Sequence, residues 1–354
     1  MKPITDPLLH HEPFMQRALY LATVGLGNVS PNPMVGAVIV HNGKIIGEGW
    51  HQKFAGPHAE VNAINSVQNQ DVFKESTIYV TLEPCSHHGK TPPCADLLIS
   101  HQFKTVIIAS EDPNPLVAGK GIAKLKAAGI EVATGVCSDK AKGLNRRFFT
   151  NFELKRPYVI LKWAQSADGF IAPGLNYSRE DKQLSNALSQ QLVHKWRAEE
   201  DAIMVGYNTL LFDNPKLNVR LLETDRQPTR ITWDEKGMPA GNHHFFDGSL
   251  NSFVFNHTRD DQTSSHRNIQ IPLDDNSLAT LLSRLLKEDI GSVIVEGGTK
   301  LLNRFLSHEL WDEARVCTSP KIYKEGIMAP GISLQPVENF KLLEDDWRVY
   351  FKDK

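Results

Sequence analysis

His58-Ala-Glu60 sets an imidazole two residues from a carboxylate, and Pro84-Cys85 is followed by Cys94 with eight residues between the two thiols. One imidazole and two thiolates suit Zn²⁺, and three protein ligands leave the fourth tetrahedral position for water. Water held there loses a proton near neutrality, and a carboxylate close by can take that proton and hand it to a departing amine. His58, Cys85 and Cys94 are therefore assigned to the metal and Glu60 to proton transfer, with no ligating role.

H-x-E followed by P-C-x-x-C is the signature of zinc deaminases, and this chain departs from it in its longer cysteine spacing. The proline before Cys85, the His-x-Glu upstream and the placement of both clusters at expected helix starts favour the site all the same. Two other readings use the same residues: a structural zinc closed by His51, His87 or His88, and a metal-free site with buried cysteines. Cys137 and Cys317 stand alone and read as small buried hydrophobes.

The elements that must position these groups follow from the pattern of apolar residues. Val35 to Val40, Asn42-Gly43 and Lys44 to Gly47 predict a β-hairpin, because Asn-Gly supplies the positive φ angles of a tight turn. A helix is expected near His58–Val67, strands over Ile78–Leu82 and Thr105–Ala109, and a helix over Ala95–Ser100 between them. A further helix, Gly121–Ala128, ends at Gly129 before a return through Ile130–Val132. Alternating strands and helices predict a three-layer α/β domain over residues 1–147. Residues 148–156 are read as a linker, and 157–354 as a second domain opening on a strand at Tyr158–Leu161. That domain alternates again: a helix at Ser185–Ala198, strands at Ala202–Val205 and Thr229–Trp233, a helix at Leu278–Lys287 and a strand at Ser292–Val295. Glu296-Gly297-Gly298 then leads into a helix over Lys300–Leu306.

Bulk properties restrict the function classes. A chain of 354 residues exceeds what one hydrophobic core usually serves. With 41% hydrophobic and 23% charged residues and no apolar run of ~18, neither disorder nor a membrane span is expected. The N-terminal residues lack a basic stretch leading into an apolar one, so a cytoplasmic location is expected, and four cysteines are too few for a disulfide scaffold. A net charge of −2 gives no footprint for nucleic acid and argues against a nucleic-acid base deaminase, so a small molecule is the expected substrate.

Asn32-Pro-Met-Val-Gly36, His58-Ala-Glu60, the segment Thr81 to Cys94 and Asp112 to Gly119 together resemble the bifunctional riboflavin-biosynthesis deaminase/reductases, in which a long loop between the cysteines is usual. The resemblance implies a cytidine-deaminase-like α/β/α fold for the first domain. It also implies hydrolytic deamination of 2,5-diamino-6-(5-phosphoribosylamino)pyrimidin-4(3H)-one. Carried onto this chain, it makes Asn32, His51, Lys90, Asp112 and Asn114 the substrate contacts: amide and carboxylate groups for the pyrimidine edge, Lys90 for the phosphate.

The second half extends the likeness through Leu161 to Gly169, Asp201 to Arg220 and Val295 to Thr299. It implies a dihydrofolate-reductase-like α/β domain that uses NADPH to reduce the ribosyl group to ribityl, in a homo-oligomer. Lys162, Arg197, Leu217, Arg220 and Glu296 would then contact the substrate, with Arg197 and Arg220 clamping its phosphate. Ala164, Thr209, Asp213, Gly297, Gly298 and Thr299 would bind the cofactor. Lys162 and Asp213 would face its nicotinamide end, and the Gly-Gly turn would cradle its pyrophosphate. The chain departs from the family in two places. Residues 178–184 lack a tryptophan found in relatives. Glu235, beside Asp234, stands where relatives often place a serine near the cofactor's 2′-phosphate. An acid there repels that phosphate unless Lys236 or another base compensates, and NADH is the alternative cofactor.

Overall fold

The computed structural model describes residues 9–86, 92–173, 183–235, 237 and 241–352. The chain divides into two compact units, residues 1–154 and 155–354.

The first unit runs α1 (Glu12–Thr23), β1 (Gly36–His41), β2 (Lys44–Trp50), α2 (Ala59–Asn65), β3 (Thr77–Val80), α3 (Cys94–Ser100), β4 (Thr105–Ile108), α4 (Lys120–Ala127), β5 (Glu131–Thr134), α5 (Ser138–Leu144) and α6 (Arg146–Glu153). Its sheet has the order β2-β1-β3-β4-β5. The β1–β2 and β1–β3 pairs are antiparallel, and the remaining pairs are parallel. Asn42 and Gly43 take φ angles of 48° and 73°, which closes the hairpin as the Asn-Gly pair predicts.

Alternation along the strands builds a core on each face. Ile39, Ile78, Val80, Val106 and Ile108 meet Ala63, Leu98 and Leu125 from α2, α3 and α4. Val38, Val40, Tyr79 and Ile107 face Met15 and Ala18 of α1 and Ala141 of α5. This is the expected α/β/α layering. Helix α1 went unpredicted from the sequence, and it covers one face together with α5. Residues 148–153, read from sequence as linker, are the greater part of α6.

The second unit comprises β6 (Tyr158–Gln165), β7 (Phe170–Pro173), α7 (Ala187–Glu199), β8 (Ala202–Gly206), α8 (Tyr207–Asp213), β9 (Thr229–Trp233), β10 (Ser252–Asn256), β11 (Asp261–Gln262), β12 (Arg267–Gln270), α9 (Ser277–Lys287), β13 (Ser292–Val295), α10 (Thr299–Ser307), β14 (Glu313–Thr318), β15 (Gly326–Met328), β16 (Glu338–Leu342) and β17 (Asp345–Phe351). Among the described residues ten strands form one sheet, β11-β12-β10-β9-β8-β13-β6-β14-β17-β16. It is parallel from β12 through β14 and antiparallel at both edges. Val159 and Leu161 face Leu281, Leu285, Leu302 and Phe305 of α9 and α10, while Ile160 between them faces Val193 and Trp196 of α7. No helix among the described residues is long and apolar enough to cross a membrane.

Gly36 is where α1 meets the first sheet: a Cβ built there would lie 2.0 Å from the Ala18 carbonyl oxygen and 2.9 Å from the Ala22 nitrogen. Both are backbone atoms, so no side-chain rotation relieves the clash. Gly36→Ala is therefore expected to lower the stability of the first unit by about 1–3 kcal/mol, the usual cost of overpacking. Urea unfolding followed by circular dichroism checks this, and an unchanged midpoint contradicts it.

Candidate active sites

The first site gathers at the ends of β3 and β4. His58 is extended (φ −71°, ψ 166°) and immediately precedes α2, which puts Glu60 in that helix's first turn, only 3% exposed. Cys85 lies in the loop after β3, beyond Thr81 to Pro84, and Cys94 opens α3. The Cys94 N–H donates to Cys85 Sγ at 3.3 Å, and the Ala95 N–H donates to the Cys85 carbonyl oxygen at 3.1 Å.

His58 Nδ1 lies 3.3 Å from Cys94 Sγ and 3.7 Å from Cys85 Sγ. Zinc–nitrogen and zinc–sulfur bonds of normal length at a tetrahedral angle separate these atoms by about 3.5 Å. The three donors thus fit zinc. Hydrogen bonding from Cys94, and then from His58, draws the Cys85 thiol down to about 4 and makes it a ready thiolate. Burial pushes the Glu60 carboxyl up, so it can hold a proton closer to neutrality than a solvated glutamate.

His51 is not a fourth ligand. Its Nδ1–H is committed to the Pro57 carbonyl at 3.0 Å, which leaves Nε2 as an acceptor for the Asn32 amide at 3.2 Å. Both ring nitrogens are in use, and burial lowers the pKa of the ring and favours this neutral form. The contact also fixes the Asn32 amide with its nitrogen toward His51. His51 meets His58 edge to face, with ring centroids 5.5 Å apart. The other proposed fourth ligands, His87 and His88, lie outside the described residues, as does Lys90.

Asp112 and Asn114 occupy one loop after β4. Asp112 Oδ1 accepts from the Asn114 N–H at 2.7 Å, and Asn114 Oδ1 from the Leu116 N–H at 3.0 Å. Sequence reasoning gave no role to the residue that secures this loop, Glu83, which is 4% exposed. Its carboxylate accepts four backbone N–H groups: Gly119 at 2.9 Å, Asp112 at 3.3 Å, Gly121 at 2.9 Å and Ile122 at 3.2 Å. A Cβ at Gly121 would lie 2.1 Å from the Pro84 carbonyl oxygen, so α4 begins hard against the segment that carries Cys85. An acid two residues before a cysteine was the available signal.

In the second unit, Arg197 on α7 and Glu296 after β13 form a bidentate pair at 2.8 and 2.7 Å, and Lys162 Nζ stands 3.9 Å from the same carboxylate. Burial alone would raise the Glu296 carboxyl, but Arg197 and then Lys162 draw it down to about 2. The two-arginine phosphate clamp expected from the sequence is therefore altered: the Arg197 fork is filled by Glu296, while Arg220 is exposed and contacts Asn218 Oδ1 at 3.2 Å.

Arg220 is placed by a residue not foreseen from the sequence. His194 Nδ1 accepts the Arg220 N–H at 3.1 Å, which requires a neutral ring. Burial, and then the nearby Arg197 and Arg220, hold His194 at about 4. It lies three residues before Arg197 on the same helix, a spacing that shares one face. Leu217 is buried at φ 49° in the loop leading to Arg220.

Ala164 lies on β6, two residues beyond Lys162, and Asp213 lies at the exposed end of α8. Gly297 and Gly298 form the turn into α10. Thr299 Oγ donates to the Met328 carbonyl at 2.6 Å, and Thr209 Oγ lies 3.7 Å from a Cβ built on Gly298. Of the divergent segment, 178–182 lies outside the described residues, as does Lys236.

Residues 9–110 match the family model described as the cytidine and deoxycytidylate deaminase zinc-binding region, and residues 157–338 match the RibD C-terminal domain. The chain is 39% identical over 351 residues to the riboflavin biosynthesis protein RibD of Aquifex aeolicus, covering 96% of this chain and 97% of that one. Identity to the RibD of Escherichia coli is 37%, over 98% of this chain and 96% of the relative. The crystal structure of a diaminohydroxyphosphoribosylaminopyrimidine deaminase/5-amino-6-(5-phosphoribosylamino)uracil reductase from Thermotoga maritima superposes with a TM-score of 0.85. It shares 38% sequence identity, and the match covers 97% of this chain and 99% of that one. Together with the site geometry, these matches define a zinc-dependent deaminase joined to a reductase of dihydrofolate-reductase-like fold. The chain belongs to the RibD family, the bifunctional deaminase/reductases of riboflavin biosynthesis.

Glu83→Ala removes the acceptor of four N–H groups and is expected to cost about 2–3 kcal/mol in urea unfolding of the first unit, with the zinc content of the folded protein unchanged. A variant as stable as the parent would show that water or another group serves these donors equally well.

Proposed function

We propose that His58, Cys85 and Cys94 hold the zinc and that Glu60 transfers the protons of deamination, with 2,5-diamino-6-(5-phosphoribosylamino)pyrimidin-4(3H)-one as the substrate. The observation that carries this reading is a three-donor cluster of zinc dimensions beside a buried carboxyl whose proton affinity burial raises. Zinc, when bound, supplies a Lewis acid that makes water nucleophilic near neutrality. Glu60 takes the proton released by the water and returns it to the departing 2-amino group, which leaves as ammonia. Asn32, oriented by neutral His51, presents its amide oxygen to the pyrimidine edge. Asp112 and Asn114 contribute from the loop that Glu83 secures, and Lys90 meets the phosphate.

The second unit then reduces C1′ of 5-amino-6-(5-phosphoribosylamino)uracil to give the ribityl chain, with NADPH supplying the hydride. Arg220 receives the substrate phosphate. Arg197 holds Glu296 ionised and fixed, so that this carboxylate and Lys162 orient the sugar hydroxyls as a rigid pair; Leu217 shapes the adjoining wall. Gly297, Gly298 and Thr299 cradle the pyrophosphate, with Thr209, Asp213 and Ala164 completing the cofactor edge. A homo-oligomer acting in the cytoplasm on a small molecule, and not on nucleic acid, completes this reading.

Glu60→Gln preserves shape but cannot transfer a proton. It is expected to lower ammonia release by about 10²–10⁴-fold, the usual worth of a general acid–base. Zinc content and reduction of the deaminated intermediate should stay at parental levels. A variant that keeps zinc and deaminates at the parental rate contradicts the assignment.

A further inference from the structure

Glu235 is an acid at a position where a cofactor phosphate would be repelled, and basic side chains face it. It follows the end of β9 and forms an ion pair with Arg304 of α10, with Lys300 Nζ of the same helix 3.9 Å away. Lys300 and Arg304 are four residues apart and so share a helix face. The Arg304 guanidinium also lies 3.9 Å from the ring centroid of Trp233.

These groups line an open pocket of about 160 Å³ that reaches Gly298 and Thr209, at the carboxyl ends of the adjacent parallel strands β8 and β9. Dinucleotides bind at such strand ends, where an acid reads the ribose 2′-hydroxyl of the unphosphorylated cofactor and an arginine accommodates the 2′-phosphate of the other. Here both kinds of reader are present and bound to each other.

We propose that Arg304 is the receptor for the 2′-phosphate and that Glu235 competes with that phosphate for it, so that this one ion pair sets the preference between phosphorylated and unphosphorylated dinucleotide. The inference rests on the reading that this edge of the second unit holds the dinucleotide. Stacking on Trp233 keeps the guanidinium in place while its partner is exchanged, because a planar cation held on an aromatic face still presents its N–H edge. Lys300 adds a second positive charge to the same exchange. The acid therefore weakens 2′-phosphate binding without abolishing it, and it offers the 2′-hydroxyl of the other cofactor an acceptor.

Titration calorimetry of the full-length protein with NADP⁺ and with NAD⁺ tests this without reference to turnover. Arg304→Ala should weaken NADP⁺ about tenfold, as expected for losing one charge-assisted contact, and move NAD⁺ less than about twofold. Arg304→Lys, which keeps the charge, should recover part of the loss. Glu235→Gln should tighten NADP⁺ by about threefold and leave NAD⁺ equal or weaker. Equal effects of Arg304→Ala on both dinucleotides, or a Glu235→Gln variant that loses NADP⁺ affinity, would overturn the proposal while leaving the dinucleotide site intact. A parent protein that binds neither dinucleotide would overturn that underlying reading and the proposal with it.

Discussion

Parallel strand pairing is the constraint on which both sites depend. A parallel strand must return by a crossover, so the loops that follow such strands collect along one edge of the sheet, where helices begin. In the first unit this brings Cys85, after β3, and the Asp112–Asn114 loop, after β4, to the same edge. In the second it does the same for Thr209 after β8, Glu235 after β9 and Gly297–Gly298 after β13. Residues far apart in sequence thus become neighbours because the strands between them are buried apolar runs that fix the register.

Given that edge, charge has to be held in place against burial, and the two units do this differently. Among the described residues Glu83 is held by four backbone N–H groups, so a carboxylate shapes this loop through main-chain donors. Glu296 is satisfied by Arg197 and Lys162, side chains supplied by α7 and β6. Removing one member of such a buried pair leaves the other charge uncompensated, at a cost of about 3–5 kcal/mol. The arrangement is correspondingly rigid, which suits a group that must present one geometry to a sugar.

That His58, Cys85 and Cys94 would cluster with Glu60 beside them was legible in the sequence because each sits in a short local pattern. The Asn-Gly hairpin was legible for the same reason. Pairings over long separations were not: Arg197 meets Glu296 across 99 positions and Glu235 meets Arg304 across 69. Nothing local in either segment reveals the partner, so an arginine that grips a carboxylate read as one that grips phosphate. Strand β14 opens Glu313-Ala314-Arg315-Val316, an alternation whose charged side reads as facing solvent, yet Glu313 and Arg315 are buried and pair with each other at 2.6 Å. The relation of His194 to Arg220 depends on a buried, neutral ring, which a helical spacing alone does not disclose.

The central claim is that one chain carries out two successive reactions on one phosphorylated pyrimidine. Mass analysis of the diaminopyrimidine phosphate after incubation with the protein, with and without NADPH, tests it most directly. The account predicts exchange of one amino group for oxygen without NADPH, and the same change plus the gain of two hydrogens with it. Recovery of unaltered substrate from zinc-loaded protein, or of a deaminated product that gains no hydrogen from NADPH, would contradict it.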